Sequence, residues 1–146
     1  MSMKKSIEDM LKEEGFCITE FSGCSMLPML REKSDRVLLV KPELPLAVGT
    51  VALFRHNGRH VLHRVISREG QSYRFRGDNS IGTEQVAEKD VVGTLSGFWR
   101  GDKFFDCTGA YSAAYAKRAN RTLLWRKLRA KVRAMLRHGE KENGGN

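Results

Sequence analysis

The chain has 146 residues, of which 40% are hydrophobic and 29% charged, a composition that excludes a disordered chain and allows a buried core. No stretch approaches the roughly 18 consecutive apolar residues of a membrane span, and acidic residues stand where a secretory signal has its apolar segment. We therefore expect neither a membrane span nor a secretory signal, and we expect a cytoplasmic location.

The cysteines and histidines form no pattern typical of a cofactor site. The three cysteines, Cys17, Cys24 and Cys107, are odd in number and without a close pairing, which argues against a disulfide framework and fits a reducing compartment. No two of them have zinc-ligand spacing, and the four histidines do not cluster with them. We predict neither a metal ion nor another cofactor.

In chain order, the first element is residues 3–14, whose apolar spacing predicts a short amphipathic helix that Gly15 can end. Short apolar runs separated by turn residues follow and predict strands. These runs are 16–21, 37–40, 50–54, 60–67, 72–76, 91–95 and 98–99. Their spacing predicts a mainly β domain over residues 1–111, built as a coiled antiparallel sheet or a partly open barrel.

The pattern becomes helical from residue 112, so 112–146 is treated as a separate unit, a basic amphipathic C-terminal helix with a polar tail. Residues 117–141 hold ten Lys and Arg residues against one acid, which equals the whole net charge of +9. A partner chosen by charge should therefore meet this segment. A narrow apolar stripe runs along the predicted helix and consists of Leu124, Leu128, Val132 and Met135.

Three interpretations of this basic helix remain open. Packing of the stripe on the body of the domain is favoured, since amphipathic helices usually face a core. The second is a peripheral membrane helix over 117–141, in which Trp125 and the leucines meet the bilayer and the cations meet anionic lipids. Contact with nucleic acid ranks last, because Trp125 is the only aromatic residue among the basic residues of 117–141 and the segment matches no recognised nucleic-acid-binding fold.

A hydroxyl and an imidazole are the groups with the clearest chemistry. Ser25 lies in a turn bounded by Gly23 and Pro28, and His63 lies on an alternating apolar strand. A serine hydroxyl becomes a good nucleophile when a base takes its proton, and histidine suits this role near neutral pH. Each signal alone is weak, because single motif matches are rarely functional.

Two neighbouring features complicate this site. Cys24 is a rival nucleophile, but adjacent residues of an extended chain point to opposite sides, so only one of Cys24 and Ser25 can face His63. The turn over 77–79 has a simple structural explanation, because Asp and Asn bond their own backbone in turns. It can also bring the carboxylate of Asp78 to the imidazole.

In this order the motifs resemble the signal peptidase I and LexA-like superfamily of serine peptidases. The segments that carry the resemblance are 23–28, 34–37, 49–54, 63–65, 77–79 and 91–93. Each is weak alone, but their order and spacing together are specific. The resemblance implies the coiled β fold of that superfamily and Ser25 as the nucleophile that forms an acyl-enzyme. It places His63 where most bacterial members have a lysine, as in the endoplasmic-reticulum type of signal peptidase.

The resemblance leaves the acid that orients His63 open between two residues. Asp78 belongs to an intact Gly-Asp-Asn triplet, whereas Glu84 stands where the endoplasmic-reticulum type has an aspartate. The intact triplet favours Asp78 slightly. The backbone N–H of Ser25 is the expected oxyanion donor, and Gly23 stands where many signal peptidases have a serine that supplies a second donor.

The prediction is a serine endopeptidase of the signal-peptidase-like type, acting on a peptide or precursor-protein substrate. Because neither a membrane span nor a preceding DNA-binding domain is expected, the chain resembles small soluble members that remove a leader from a ribosomally made peptide. The alternative is a non-catalytic module that binds a peptide or regulates a partner. A DNA-linked regulator acting through the basic helix is the third hypothesis.

Overall fold

A computed structural model describes residues 4–108, 128 and 131–135, and within residues 4–108 it shows one helix followed by eight strands. A short 3-10 turn over Glu88–Asp90 leads into the seventh strand. The elements within residues 4–108 are α1 (Ile7–Glu14), β1 (Phe16–Glu20), β2 (Asp35–Val40), β3 (Val51–His56), β4 (Arg59–Glu69), β5 (Ser72–Arg76), β6 (Glu84–Ala87), β7 (Val91–Arg100) and β8 (Lys103–Asp106).

The helix α1 begins and ends where local chemistry favours it. The Ser6 hydroxyl accepts a hydrogen bond from the N–H of Asp9 at 3.1 Å, which caps the first turn. Gly15 adopts a φ of 83°, and its N–H closes the helix on the Leu11 carbonyl at 3.0 Å. The predicted helix with Gly15 at its end is present, although it begins at Ile7 rather than at residue 3.

The strands of residues 4–108 form one antiparallel sheet in the order β1-β2-β7-β3-β4-β5-β6, with β8 paired to β7. β-Bulges interrupt the pairings of β2 with β7, of β3 with β7 and of β4 with β5. Bulges bend a strand and increase its twist, so the sheet curls into a half-open barrel with β1 and β6 at its edges. The predicted mainly β fold, a coiled antiparallel sheet with a short N-terminal helix, is confirmed.

The sequence pattern does not predict β6 and β8, and it divides β7 into two runs. β6 buries one residue, Val86, and β8 buries none fully, so neither shows a clear apolar alternation. β7 continues through Gly97, where the Phe104 ring of β8 covers the backbone and leaves no room for a Cβ. These elements depend on pairing with distant strands, which a local pattern does not report.

The buried side chains of residues 4–108 form two apolar clusters on opposite faces of β3 and β4. The first core consists of Leu11, Cys17, Met26, Met29, Leu30, Val37, Leu39, Val51, Leu53, Leu62, Leu95, Phe98 and Cys107. The second core consists of Leu46, Ala52, Phe54, Val65, Tyr73, Phe75, Val86 and Val91. Successive residues of a strand point to opposite faces, so the buried stretch from Leu62 to Val65 contributes side chains to both.

The boundary that the sequence predicts between residues 111 and 112 lies outside the described residues and stays a prediction. Most of the predicted basic helix also lies outside them, although 131–135 are helical. In the part of the chain that the structure describes, no helix is both long enough and apolar enough to cross a membrane.

Candidate active site

Ser25 lies in the turn that connects β1 to β2. Three fully buried side chains of this turn, Met26, Met29 and Leu30, anchor it in the first core. The N–H of Leu30 bonds to the carbonyl of Met26 at 3.0 Å and closes the turn. Ser25 is therefore held half-buried between an exposed Cys24 and a fully buried Met26.

His63 lies on β4 on the side of the second core, where the ring of Phe54 meets it edge-on at a centroid separation of 6.0 Å. His63 is 7% exposed. Its Nδ1 lies 2.9 Å from Oε2 of Glu84, the first residue of β6. When Glu84 is ionised and accepts this hydrogen bond, Nδ1 carries the proton and Nε2 presents its lone pair. This is the tautomer that a general base requires.

Asp78 makes a different contact from the one that the intact triplet suggests. Both of its carboxylate oxygens accept hydrogen bonds from Arg64, with Nε and Nη2 each donating at 2.8 Å. The reason is strand alternation, because Arg64 follows His63 on β4 and points to the opposite face. The carboxylate that lies beside the imidazole is that of Glu84, so the slight preference for Asp78 in this position does not agree with the geometry.

The ion pair of Arg64 and Asp78 is almost completely buried, with 4% and 2% of the two side chains exposed. Arg64 also donates to the Gly49 carbonyl at 2.8 Å, and its Nη2 lies 3.1 Å from the sulfur of Met29. The guanidinium thus joins β4 to the loop before β3 and to the turn that carries Ser25. A bidentate, buried contact of this kind fixes the relative positions of the segments it joins.

The turn over 77–80 is bonded directly to the Ser25 turn through Asn79. The Asn79 N–H donates to the Ser25 carbonyl at 2.7 Å, and the Asn79 side-chain amide donates to the Cys24 carbonyl at 2.9 Å. Two consecutive carbonyls next to the hydroxyl are therefore held by one residue. Because Asp78 anchors this turn through Arg64, the ion pair acts on the position of Ser25 through Asn79.

Gly77 is the point at which the groups of the candidate site converge. A Cβ at this position would lie 2.6 Å from the Ser25 carbonyl oxygen, 2.7 Å from Ser80 Oγ and 3.0 Å from Nε2 of His63. Real Cβ atoms do not make contacts this close, so the site requires glycine here. The backbone of Ser25, the hydroxyl of Ser80 and the imidazole of His63 surround the same small space.

The reacting groups are free to engage a substrate. Among the described residues, neither Ser25 Oγ nor Nε2 of His63 has a hydrogen-bond partner. Catalytic hydrogen bonds in substrate-free enzymes are often long and tighten when substrate binds. The arrangement can thus carry out nucleophilic attack assisted by a base, provided that a substrate carbonyl enters beside Ser25.

Comparison with known proteins identifies the family of the chain. The family model described as Peptidase S24-like matches residues 2–95. The chain belongs to the Peptidase S24-like family. The matched range contains all four predicted site residues, Ser25, His63, Asp78 and Glu84. No curated protein and no solved structure matches the chain.

Membership in the Peptidase S24-like family confirms the resemblance to LexA-like and signal-peptidase-type proteins at the level of the family. It also agrees with the curled antiparallel sheet. The family includes non-catalytic members, so membership supports the peptidase class and does not identify the residues that act.

Two residues of this Peptidase S24-like site are missed by sequence reasoning, Arg64 and Ser80. Arg64 carries a usable signal, because an arginine next to His63 on a buried strand points to the opposite face and needs a carboxylate there. In the structure that carboxylate is Asp78, in the turn after β5. Ser80 carries no local signal, since its approach to His63 depends on how the turn over 77–80 folds back.

The cysteines of this Peptidase S24-like chain differ in their environments. Burial raises the pKa of Cys107 to about 12 and also raises the pKa of Cys17, so both thiols stay protonated. Cys24 is exposed and free. Within the described residues, no group of three or more His, Cys, Asp and Glu side chains is placed to hold a metal ion.

Proposed function

We propose that this chain is a serine endopeptidase in which Ser25 is the nucleophile, His63 the general base and Glu84 the acid that orients His63. The observation that carries the proposal is the 2.9 Å contact between Nδ1 of His63 and Oε2 of Glu84, with Nε2 of the same ring and the Ser25 carbonyl oxygen both next to Gly77. Membership in the Peptidase S24-like family supports the reaction class. Strand alternation supports Glu84 over Asp78, whose oxygens are both bound by Arg64.

The reaction divides into two steps that use the same imidazole. As Ser25 Oγ attacks the scissile carbonyl, its proton passes to Nε2 of His63, which then gives that proton to the leaving amine. The acyl-enzyme is hydrolysed when Nε2 takes a proton from water and returns it to Ser25. Glu84 stabilises the imidazolium that forms in both steps and keeps Nδ1 protonated.

The negative charge that develops on the substrate carbonyl needs hydrogen-bond donors. The N–H of Ser25 is the donor we propose, and Gly23 offers no side chain to assist it. Asn79 contributes indirectly, because it holds the carbonyls of Cys24 and Ser25 and so fixes the orientation of the Ser25 peptide. An enzyme with one oxyanion donor should have a lower turnover rate than an enzyme with two.

The substrate class we propose is a peptide or precursor protein, with a leader of a ribosomally made peptide as the first candidate. The half-open barrel leaves the Ser25 turn accessible from outside, as an extended polypeptide requires. We also propose a cytoplasmic location for this activity, because the sequence indicates neither a membrane span nor a secretory signal.

Digestion of a random peptide library, read by mass spectrometry, tests the proposal without knowledge of the substrate. We expect Ser25→Ala and His63→Ala to lose cleavage by at least about a thousandfold, because members of a catalytic set act as a unit. We expect Cys24→Ala to cleave at the wild-type rate. Equal cleavage by Ser25→Ala, or loss of cleavage only in Cys24→Ala, would overturn the assignment of the nucleophile.

The chain offers a matched control for Glu84. His60 of β4 also makes a histidine–glutamate contact, with Nε2 lying 2.9 Å from Oε1 of Glu8 on α1, but this contact is exposed to solvent. We expect Glu84→Gln to lower the cleavage rate by a factor on the order of a hundred to ten thousand. Glu8→Gln removes an equally short contact and should leave the rate unchanged.

The alternative function is a non-catalytic module that binds a peptide. The glycine at position 23, which leaves the oxyanion with one proposed donor, favours it. In that case a peptide retained from the library would bind without being cleaved, and its affinity would be the same in Ser25→Ala. Turnover in the wild type that depends on Ser25 excludes this alternative.

A further inference from the structure

Three large apolar side chains lie exposed in the C-terminal residues that the structure describes. Leu128, Val132 and Met135 are 53%, 47% and 73% exposed. Their spacing of four and three residues places them on one face of a helix, and 128 and 131–135 are helical. We call these three residues the exposed stripe. The sequence favours packing of the four-residue stripe on the body, and this stays a prediction because Leu124 lies outside the described residues, but the three described members are exposed.

The body of the domain carries its own exposed apolar residues, but they do not cover the stripe. On the outer face of β1 and β8, Phe16, Ile18 and Phe104 are 46%, 48% and 44% exposed. The two surfaces are therefore uncovered at the same time. Within the described residues, nothing covers the exposed stripe.

Charge indicates what kind of partner this is. Residues 117–141 carry the whole net charge of +9, so the rest of the chain is neutral and offers no excess of negative charge to attract them. Lys131 and Arg133 flank Val132 and are themselves exposed. An external surface that is both anionic and able to take up apolar side chains matches this combination.

We propose that the exposed stripe inserts into the interfacial region of a bilayer that contains anionic phospholipid, with the surrounding Lys and Arg residues bound to the headgroups. An amphipathic helix with cations beside its apolar face binds such surfaces by the sum of both contributions. This association brings the candidate active site to a membrane surface without a membrane span.

Nucleic acid is the partner from which a membrane must be distinguished. Binding to phosphates depends on the number of cations and weakens with salt, but it does not use three exposed aliphatic side chains. A bilayer uses both the cations and the stripe. Variants that separate charge from apolar area therefore separate the two partners.

Sedimentation of the purified full chain with lipid vesicles tests the proposal. The probes are vesicles of phosphatidylcholine alone and vesicles of phosphatidylcholine with an equal part of phosphatidylglycerol. We expect the wild type to sediment with the mixed vesicles and not with phosphatidylcholine alone, and we expect added salt to weaken this binding. Failure of the wild type to bind the mixed vesicles overturns the proposal.

Two variants identify the surface that binds. The triple variant Leu128→Gln, Val132→Gln and Met135→Gln keeps every charge, and we expect it to lose affinity for the mixed vesicles by at least about tenfold. Ile18→Gln changes a similarly exposed apolar residue of the body and should bind as the wild type does. A triple variant that binds mixed vesicles as tightly as the wild type contradicts the insertion of the stripe.

The charge variant Lys131→Gln with Arg133→Gln completes the set. We expect it to weaken vesicle binding, by less than the triple variant does. Binding to a duplex DNA fragment is measured with the same variants. The proposal is contradicted in favour of nucleic acid if the wild type binds DNA more strongly than vesicles, if the charge variant binds DNA more weakly and if the triple variant binds DNA as the wild type does. Ser25→Ala should bind vesicles as the wild type does, so this result does not depend on the proposed peptidase activity.

Discussion

Two neighbouring residues of β4 each contact a carboxylate, and the two contacts differ in kind. Arg64 and Asp78 form two hydrogen bonds in an almost fully buried pair. His63 and Glu84 share one hydrogen bond, and 21% of the Glu84 side chain remains exposed. The buried pair binds segments together, whereas in the more open pair Nε2 of the imidazole has no hydrogen-bond partner within the described part of the chain. Arg64 and Asp78 hold the candidate site in place, whereas His63 and Glu84 can act on a substrate.

The largest effect we expect on stability comes from Asp78→Asn. This change leaves the buried guanidinium of Arg64 without its counter-charge, and breaking a buried ion pair in this way costs about 3–5 kcal/mol. Urea denaturation of the variant and the wild type measures the free energy of unfolding. If Asp78→Asn were as stable as Glu84→Gln, the distinction between the two contacts would be wrong.

A smaller loss is expected from Gly77→Ala, which inserts a methyl group against the Ser25 carbonyl and the imidazole. Overpacking of this kind costs about 1–3 kcal/mol and forces neighbours to shift. Cleavage should fall together with stability, because the atoms that shift belong to Ser25 and His63. Gly82→Ala is the matched control, since a Cβ there meets nothing within 4 Å. Equal loss in both variants would indicate a general effect of the substitution.

Glu84→Gln should change stability little, by about 1 kcal/mol, because it removes a charge from one half-buried hydrogen bond. The main effect is expected on activity, as described above. The same denaturation series gives the comparison, and a loss of stability equal to that of Asp78→Asn would mean that Glu84 also has mainly a structural role.

The three cysteines differ in burial, and we expect their reactivity to differ in the same way. Cys24 should react with a maleimide in the native protein, while Cys17 and Cys107 should react only after unfolding. For Cys107 the folded pKa is raised from 9.0 to about 12, so its protonated form stabilises the fold below pH 9, and this stability is lost as the pH rises from 9 towards 12. Mass spectrometry of the labelled protein counts the reactive thiols. Labelling of Cys107 at neutral pH would contradict its burial.

The smallest effect is expected from Glu8→Gln. The Glu8 and His60 side chains are 37% and 34% exposed, and exposed ion pairs contribute at most about 1 kcal/mol. The unfolding midpoint should therefore stay close to that of the wild type. A loss as large as that of Asp78→Asn would show that distance alone, without burial, determines the strength of these contacts.

The sequence predicts β4 and the positions of Ser25 and His63 because their signals are local. Apolar alternation gives the strand, and Gly23 with Pro28 gives the turn. The acid beside His63 is not local. Glu84 reaches it because β6 pairs with β5 in the register that sets Glu84 opposite Phe75, and β6 itself has too little apolar pattern to be predicted.

The contact of Asp78, by contrast, can be predicted from the sequence when strand alternation is applied to Arg64, the residue after His63. Arg64 stands on the opposite face from His63, so an acid held by Arg64 is not free to orient the imidazole. The intact Gly-Asp-Asn triplet indicates that a turn is kept, and the structure explains its three residues separately. Gly77 leaves space, Asp78 binds Arg64, and Asn79 holds the Ser25 turn.

The most direct test of the central claim is the rate at which a fluorophosphonate probe modifies Ser25, since this probe reports an activated serine without requiring the substrate. We predict an adduct on Ser25 in the wild type, none in His63→Ala, and labelling at least about tenfold slower in Glu84→Gln than in Glu8→Gln. Equal labelling rates in the wild type, His63→Ala and Glu84→Gln would contradict the proposed roles, because the reactivity of Ser25 would then not depend on the imidazole or on the acid beside it.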